Sequence, residues 1–248
     1  MSQTLKPATV PPYRSRLKGA FVGGVLALFG LGLSMTIERA GAEEASRRLP
    51  AAAEPAREPG RLQSAVFAGG CFWGVQGVFQ NVRGVTQAVS GYAGGDAASA
   101  NYRAVSSGRT RHAEAVRVTY DPRVVSYDTL LRVFFSVALD PTLVDRQGPD
   151  HGPQYRSALF PANAEQGNVA RAYIAQLDAA GAYGAPVATR IEPGTAFYPA
   201  EAYHQDFMAL HPTHPYIVAN DAAKVRDLKR LFPEFTAPAP ALVGNDPA

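Results

Sequence analysis

The chain has 248 residues, enough to bury a sizeable core in one large domain or two small ones. Its formal charge of +3 is misleading: residues 1–42 hold five of the 24 bases and one of the 21 acids, leaving 19 against 20. The basic balance therefore belongs to the N-terminus and gives no ground for nucleic-acid binding, and no zinc spacing, Walker-type loop or dinucleotide fingerprint occurs.

In chain order, four bases precede an apolar run from about Gly19 to Met35, and small residues follow at Ala40 and Ala42. This reads as a targeting segment over 1–42, either a signal peptide cut before Glu43 or an uncleaved anchor. The run of 17 residues is short for a membrane span of roughly 20. Either form places the remainder outside the cytoplasm, in the periplasm if the source has one. Residues 43–60, rich in Ala, Pro, Glu and Arg without apolar periodicity, read as a flexible linker. The tail 236–248 reads the same way and leaves one compact domain over 61–235.

Within that domain the pattern predicts strands at Ser64–Ala68, Val85–Tyr92, Ala113–Tyr120, Ser157–Phe160 and near Val187–Ile191. Helices are predicted from Cys71 to about Asn81, then at Tyr127–Ala138, Ala164–Ala179, Glu201–Leu210 and Val225–Leu231. Interleaved helices and strands with antiparallel-compatible turns indicate a two-layer α+β sandwich.

Cys71 is the only cysteine, so an intramolecular disulfide and a cysteine zinc site are both out of reach. It follows a strand and the pair Gly69-Gly70 and opens a helix. Free N–H groups and the dipole at a helix start favour an anion, so the thiol is expected to fall below its free pKa of about 8.5. The thiolate is the nucleophilic form. Phe72 and Trp73 beside it supply an apolar pocket or simply core packing.

In His112-Ala-Glu-Ala-Val-Arg-Val-Thr-Tyr120, alternation puts Glu114 on one face with Val116, Val118 and Tyr120. A carboxyl on an apolar face keeps its proton and suits a general acid, unless it pairs with a base such as Arg156. The polar stretch Asp145–Ser157 offers Asp150 and Tyr155 as partners for a polar group. Glu201 and His204 have an i, i+3 spacing seen in some metal sites, but without further ligands no metal is expected. A Cys/His acyl-transfer enzyme using His204 or His112 as base, and a binding module for oxidised or Met-rich segments, are the competing readings.

Eight segments in order resemble the A-type peptide methionine sulfoxide reductases: Gly70-Cys-Phe-Trp-Gly74, Gly91-Tyr-Ala-Gly-Gly95, Tyr102-Arg-Ala-Val105, His112-Ala-Glu-Ala-Val116, Asp140-Pro-Thr142, Arg146-Gln-Gly148, Gln154-Tyr-Arg-Ser157 and Tyr203-His-Gln205. The resemblance covers roughly Ala65–Phe235. It implies a ferredoxin-like α+β fold and reduction of the S epimer of methionine sulfoxide. It also implies Cys71 as nucleophile, Glu114 as proton donor, Phe72 and Trp73 as the methyl pocket, and Tyr102, Asp150 and Tyr155 around the sulfoxide oxygen. Oxidised proteins or peptides are then the substrates, with no metal or organic cofactor. The sequence departs from many relatives in having no resolving cysteine; Ser106 stands where some carry one, and Arg111 replaces a common glycine. An external thiol, thioredoxin-like or small, is therefore expected to recycle Cys71.

Overall fold

The structure, a computed structural model, describes residues 46–245, so the predicted targeting segment lies outside the described residues. The strands β1 (Gln63–Gly69), β2 (Val85–Ala93), β3 (Ala113–Tyr120), β6 (Ser157–Phe160), β7 (Arg190–Ile191) and β8 (Phe197–Pro199) form one sheet in the order β7-β6-β1-β3-β2-β8. A two-residue pair, β4 (Arg146–Gln147) and β5 (Asp150–His151), stands apart. β3 lies between β1 and β2 and is antiparallel to both, so β1 and β2 run the same way around it. With β6 antiparallel on the other side of β1, this is the split βαβ arrangement of a ferredoxin-like sandwich, as expected.

The helices pack on one face. α1 (Phe72–Gln80) connects β1 to β2, α3 (Tyr127–Val133) follows β3, and α4 (Ala164–Ala179) connects β6 to β7. Their apolar stripes, including Val75, Val78 and Phe79, Leu130 and Leu131, and Val169 and Tyr173, join Phe67, Tyr92, Val116, Val118 and Tyr120 of the sheet in one core. Each such large side chain contributes about 1.5–3 kcal/mol on burial. The other face carries a thin layer of small residues, Ala68, Ala93, Ala113, Ala115 and Ala158. This two-sided burial leaves Glu114 on the helix-covered face, in register with Tyr92 of β2.

Four departures from the predicted elements have physical causes. Residues 46–60 are not a free linker: Leu49 is buried and its amide donates to Ser136 Oγ at 3.2 Å. Downstream, the amides of Ala53, Ala56 and Arg57 bond Gln176, Asp128 and Glu165, and the Glu58 carboxylate accepts from Tyr120 Oη and the Tyr127 amide. The segment is a strap across α3 and α4, held by polar partners rather than by an apolar period. The tail is likewise docked over 236–245, where the amides of Ala237 and Ala241 donate to Asn81 and Gln80 carbonyls at 2.8 and 2.9 Å.

The helix expected over Tyr127–Ala138 widens into a π turn at Phe134–Ala138. The one expected over Glu201–Leu210 splits into a 3₁₀ turn, Ala202–His204, and α5 (Phe207–Leu210). Asp206 breaks it with φ of 58°. Its amide donates to Gln76 and its carboxylate accepts from Gln80 and Val243, which together hold that left-handed conformation. Two further short helices complete the chain, α2 (Tyr102–Val105) and α6 (Ala222–Leu231).

Candidate active site

Cys71 is the residue that caps the start of α1. Gly70 before it has φ of 86°, and a Cβ there would meet Gln147 Cβ at 2.5 Å. A glycine is therefore required both for the turn and for the close approach of the β4–β5 hairpin that carries Asp150. Directly after it, the Phe72 amide donates to Glu114 Oε2 at 3.0 Å. The first turn of α1 and the start of β3 are thus tied by the carboxyl itself.

Glu114 is almost fully buried. Burial raises its pKa from 4.5 to about 8, with Asp150 and Asp221 adding repulsion and the Phe72 amide opposing the shift. The pairing with Arg156 does not occur; Arg156 instead bonds Glu192 at 2.9 and 3.0 Å and the carbonyls of Pro153 and Arg111. The thiol departs from expectation. Burial pushes Cys71 well above the ordinary cysteine value, and Glu114 and Asp221 push it further, while the Trp73 amide works the other way. One helix start does not offset desolvation plus two nearby carboxyls.

Cys71, Phe72, Trp73, Tyr102, Glu114, Asp150 and Tyr155, the seven site residues that the resemblance implies, line one cavity of about 320 Å³. His204, His214 and Tyr216 complete its wall. The Trp73 indole stacks on Phe207 with centroids 3.8 Å apart and donates Nε1–H to His204 Nδ1 at 3.2 Å. The Tyr216 hydroxyl donates to the Asp150 carboxylate. Glu201 is a brace rather than a ligand: it accepts from Tyr92 Oη at 2.8 Å and from the Tyr102 amide at 2.9 Å, which sets the start of α2. Burial of Tyr102 and Tyr155 raises both phenols, which therefore remain hydrogen-bond donors at neutral pH.

His214 and Tyr216 were not legible as site residues. They arrive on the stretch after α5, and only their aromatic character hinted at a place beside Trp73. Neither His204 nor His112 hydrogen-bonds Cys71 among the described residues. Nδ1 of His204 is taken by Trp73, burial holds its pKa below the usual value, and His112 Nε2 lies 2.9 Å from the Asp96 carbonyl. Among the described residues, no group of three or more His, Cys, Asp or Glu side chains could hold a metal ion.

What such a thiol and carboxyl can do together is limited. A carboxyl that keeps its proton at neutral pH is no base for acyl transfer, but it can protonate an oxygen while a neighbouring sulfur attacks the atom bearing it. That chemistry is the thiol-dependent reduction of an oxidised group. The family model described as "Peptide methionine sulfoxide reductase" matches residues 63–234. "Peptide methionine sulfoxide reductase MsrA 2" of Mesorhizobium japonicum is 58% identical over 181 residues, covering 73% of this chain and 93% of the relative. The MsrA of Deinococcus radiodurans is 48% identical over 71% of this chain and 85% of its own length.

Among solved structures, reduced Mxr1 of Saccharomyces cerevisiae superposes with a TM-score of 0.56 at 31% identity over 65% of this chain and 92% of the other. Methionine sulfoxide reductase A of Corynebacterium diphtheriae gives 0.53 at 34% over 63% and 78%. The chain belongs to the peptide methionine sulfoxide reductase family, in its A-type branch, and is a thiol-dependent enzyme that reduces methionine sulfoxide to methionine.

Proposed function

We propose that the Cys71 thiolate attacks the sulfur of the S epimer of methionine sulfoxide while Glu114 protonates the departing oxygen. The observation that carries this is the Glu114 carboxyl, buried in the same cavity as Cys71 and holding its proton to about pH 8. A sulfoxide oxygen leaves poorly until protonated. Tyr102 and Tyr155 donate to it, Asp150, held by the Tyr216 hydroxyl, orients a water beside them, and Phe72 with Trp73 receives the methyl group. One methyl pocket and one acid, on different walls, distinguish the two epimers of a tetrahedral sulfur.

The methionine S–O bond breaks as the Cys71 S–O bond forms, and the thiol's proton restores Glu114. The net first step is therefore methionine sulfoxide plus Cys71–SH giving methionine plus Cys71–SOH. A sulfenic acid is reversible by thiols. Cys71 is the only cysteine of the chain, so a thioredoxin-like protein or a small thiol from outside reduces it. Two equivalents restore the thiol and release water and a disulfide. We also propose that the enzyme is exported, on the strength of the basic, apolar and small-residue pattern over 1–42, and that it repairs oxidised proteins there.

The test is incubation with each epimer of a methionine sulfoxide peptide and excess dithiothreitol, repeated with Cys71→Ser. The S epimer alone is turned over, and the variant is inert. Turnover of both epimers, or activity surviving the substitution, overturns the reading.

A further inference from the structure

Trp73 is the only tryptophan of the chain and the largest side chain in the wall of the 320 Å³ cavity. It is half-buried, and an indole hung from one Cβ has several staggered positions open to it. Two residues of one short stretch, 131 residues and more along the chain, select this one. His204 takes the polar edge: the indole Nε1–H donates to its Nδ1 at 3.2 Å. Phe207 takes a face, with 8° between the ring planes and centroids 3.8 Å apart. Phe207 lies outside the cavity wall, so it backs the indole from behind.

The stretch is itself fastened to the helix that carries Trp73. Asp206, between the two residues, turns the chain with its left-handed φ of 58°, so that His204 ends a 3₁₀ turn and Phe207 opens α5. Gln76 and Gln80 of α1 hold Asp206 through its amide and its carboxylate. Met208 then packs against α1, where a Cβ on Gly77 would meet its Sδ at 2.5 Å. Packing does not account for a histidine at 204. Its ring is buried among Phe72, Tyr102 and Tyr203, with centroids 5.0, 4.6 and 4.2 Å away. An apolar side chain would fill that space without burying a polar ring. Among the described residues the ring has one hydrogen bond, the one from Trp73, and its Nε2 has no partner. What the histidine adds is an acceptor for the indole.

We propose that His204 and Phe207 are positioning residues for the reduction: they hold the Trp73 indole in one orientation before substrate arrives, and so set how tightly the methyl group of methionine sulfoxide is bound. The proposal rests on Trp73 receiving that methyl group. Both residues act through the indole. An indole free to turn has to be ordered by each substrate that enters, and that ordering weakens binding. A loss shared equally by bound substrate and transition state raises the half-saturating concentration and spares the maximal rate.

The test follows methionine formation in a single turnover without reductant, over a range of concentrations of an S-epimer methionine sulfoxide peptide. His204→Leu keeps the bulk and removes the acceptor. It raises the half-saturating concentration at least fivefold and lowers the maximal rate less than twofold. His204→Asn, whose side-chain oxygen stands in for Nδ1, brings half-saturation back to within twofold of wild type. Phe207→Leu raises it as His204→Leu does, and carries the test if His204→Leu does not fold. The indole also reports on itself, being the only tryptophan. In time-resolved fluorescence anisotropy its fast local component at least doubles in amplitude in His204→Leu and Phe207→Leu, and returns to the wild-type amplitude in His204→Asn. An unchanged fast component, or an unchanged half-saturating concentration, in both leucine variants overturns the proposal. Trp73→Ala separates it from the reading it rests on. If Trp73→Ala leaves half-saturation unchanged, the methyl pocket is refuted and this proposal with it. If Trp73→Ala raises it and the two leucine variants do not, the positioning role alone is refuted.

Discussion

Replacing Glu114 by Gln keeps the shape of the side chain and removes the proton. The carboxamide of Glu114→Gln still has an oxygen to accept from the Phe72 amide, so the start of α1 stays in place. With a pKa of about 8, about nine-tenths of the wild-type carboxyls are protonated at pH 7. General acid catalysis is worth about 10²–10⁴ in rate, so single-turnover methionine formation at pH 7 falls at least ~100-fold. Below its raised pKa the thiolate fraction of Cys71 rises tenfold per pH unit, while the protonated fraction of Glu114 falls above about pH 8. The wild-type rate therefore rises up to about pH 8 and then levels, and the residual rate of Glu114→Gln keeps rising through that point.

Stability carries an independent signature of the same carboxyl. The fold favours the neutral form, so the folded state binds the proton more tightly than the unfolded chain. Stability from this group is fully present below pH 4.5, is lost as pH rises to about 8, and is flat beyond. At about 1.4 kcal/mol per pKa unit, the loss is on the order of 5 kcal/mol. The stability of Glu114→Gln relative to wild type, from urea unfolding, therefore improves across that window. Glu114→Gln keeping a third of the rate at pH 7, or a wild-type rate that goes on rising tenfold per unit between pH 8 and 9.5, refutes the assignment.

Three other outcomes are expected. Leu49→Ala leaves a cavity under the strap and costs about 2–5 kcal/mol, read as a lower urea midpoint; a cost under 0.5 kcal/mol means the strap is not docked. Gly70→Ala forces a side chain into φ of 86° and against Gln147, so it displaces the loop bearing Asp150 and raises KM, besides costing about 1–3 kcal/mol. An unchanged KM with unchanged stability contradicts the close approach. Mass spectrometry of the mature protein finds Glu43 at its N-terminus, whereas an intact Met1 in the membrane fraction favours the anchor.

Much of the site was legible because local periodicity carried it. The two-residue repeat placed Glu114 on the apolar face of β3, and the Gly-Gly-Cys junction placed Cys71 at the start of α1. The order of segments supplied Tyr102, Asp150 and Tyr155. What escaped depends on partners distant in sequence. The strap over 46–58 lacks apolar spacing and is held through Ser136, Gln176, Asp128 and Glu165. The turn at Asp206 exists because Gln76 and Gln80 on α1 meet it. The expected depression of the Cys71 pKa considered the helix start alone, and Asp221, 150 residues away in the chain, had no local signature.

The hydrogen bond from the Phe72 amide to Glu114 gives the enzyme a built-in indicator. That amide proton lies against the one carboxyl whose charge decides the first chemical step, so its NMR chemical shift will move as Glu114 ionises. The resonance of a single backbone nitrogen can then follow the acid through a titration and across the thiol, sulfenic and mixed-disulfide forms of the neighbouring Cys71. In each form the electrostatic state of the acid becomes readable without a substrate or a substitution in the cavity.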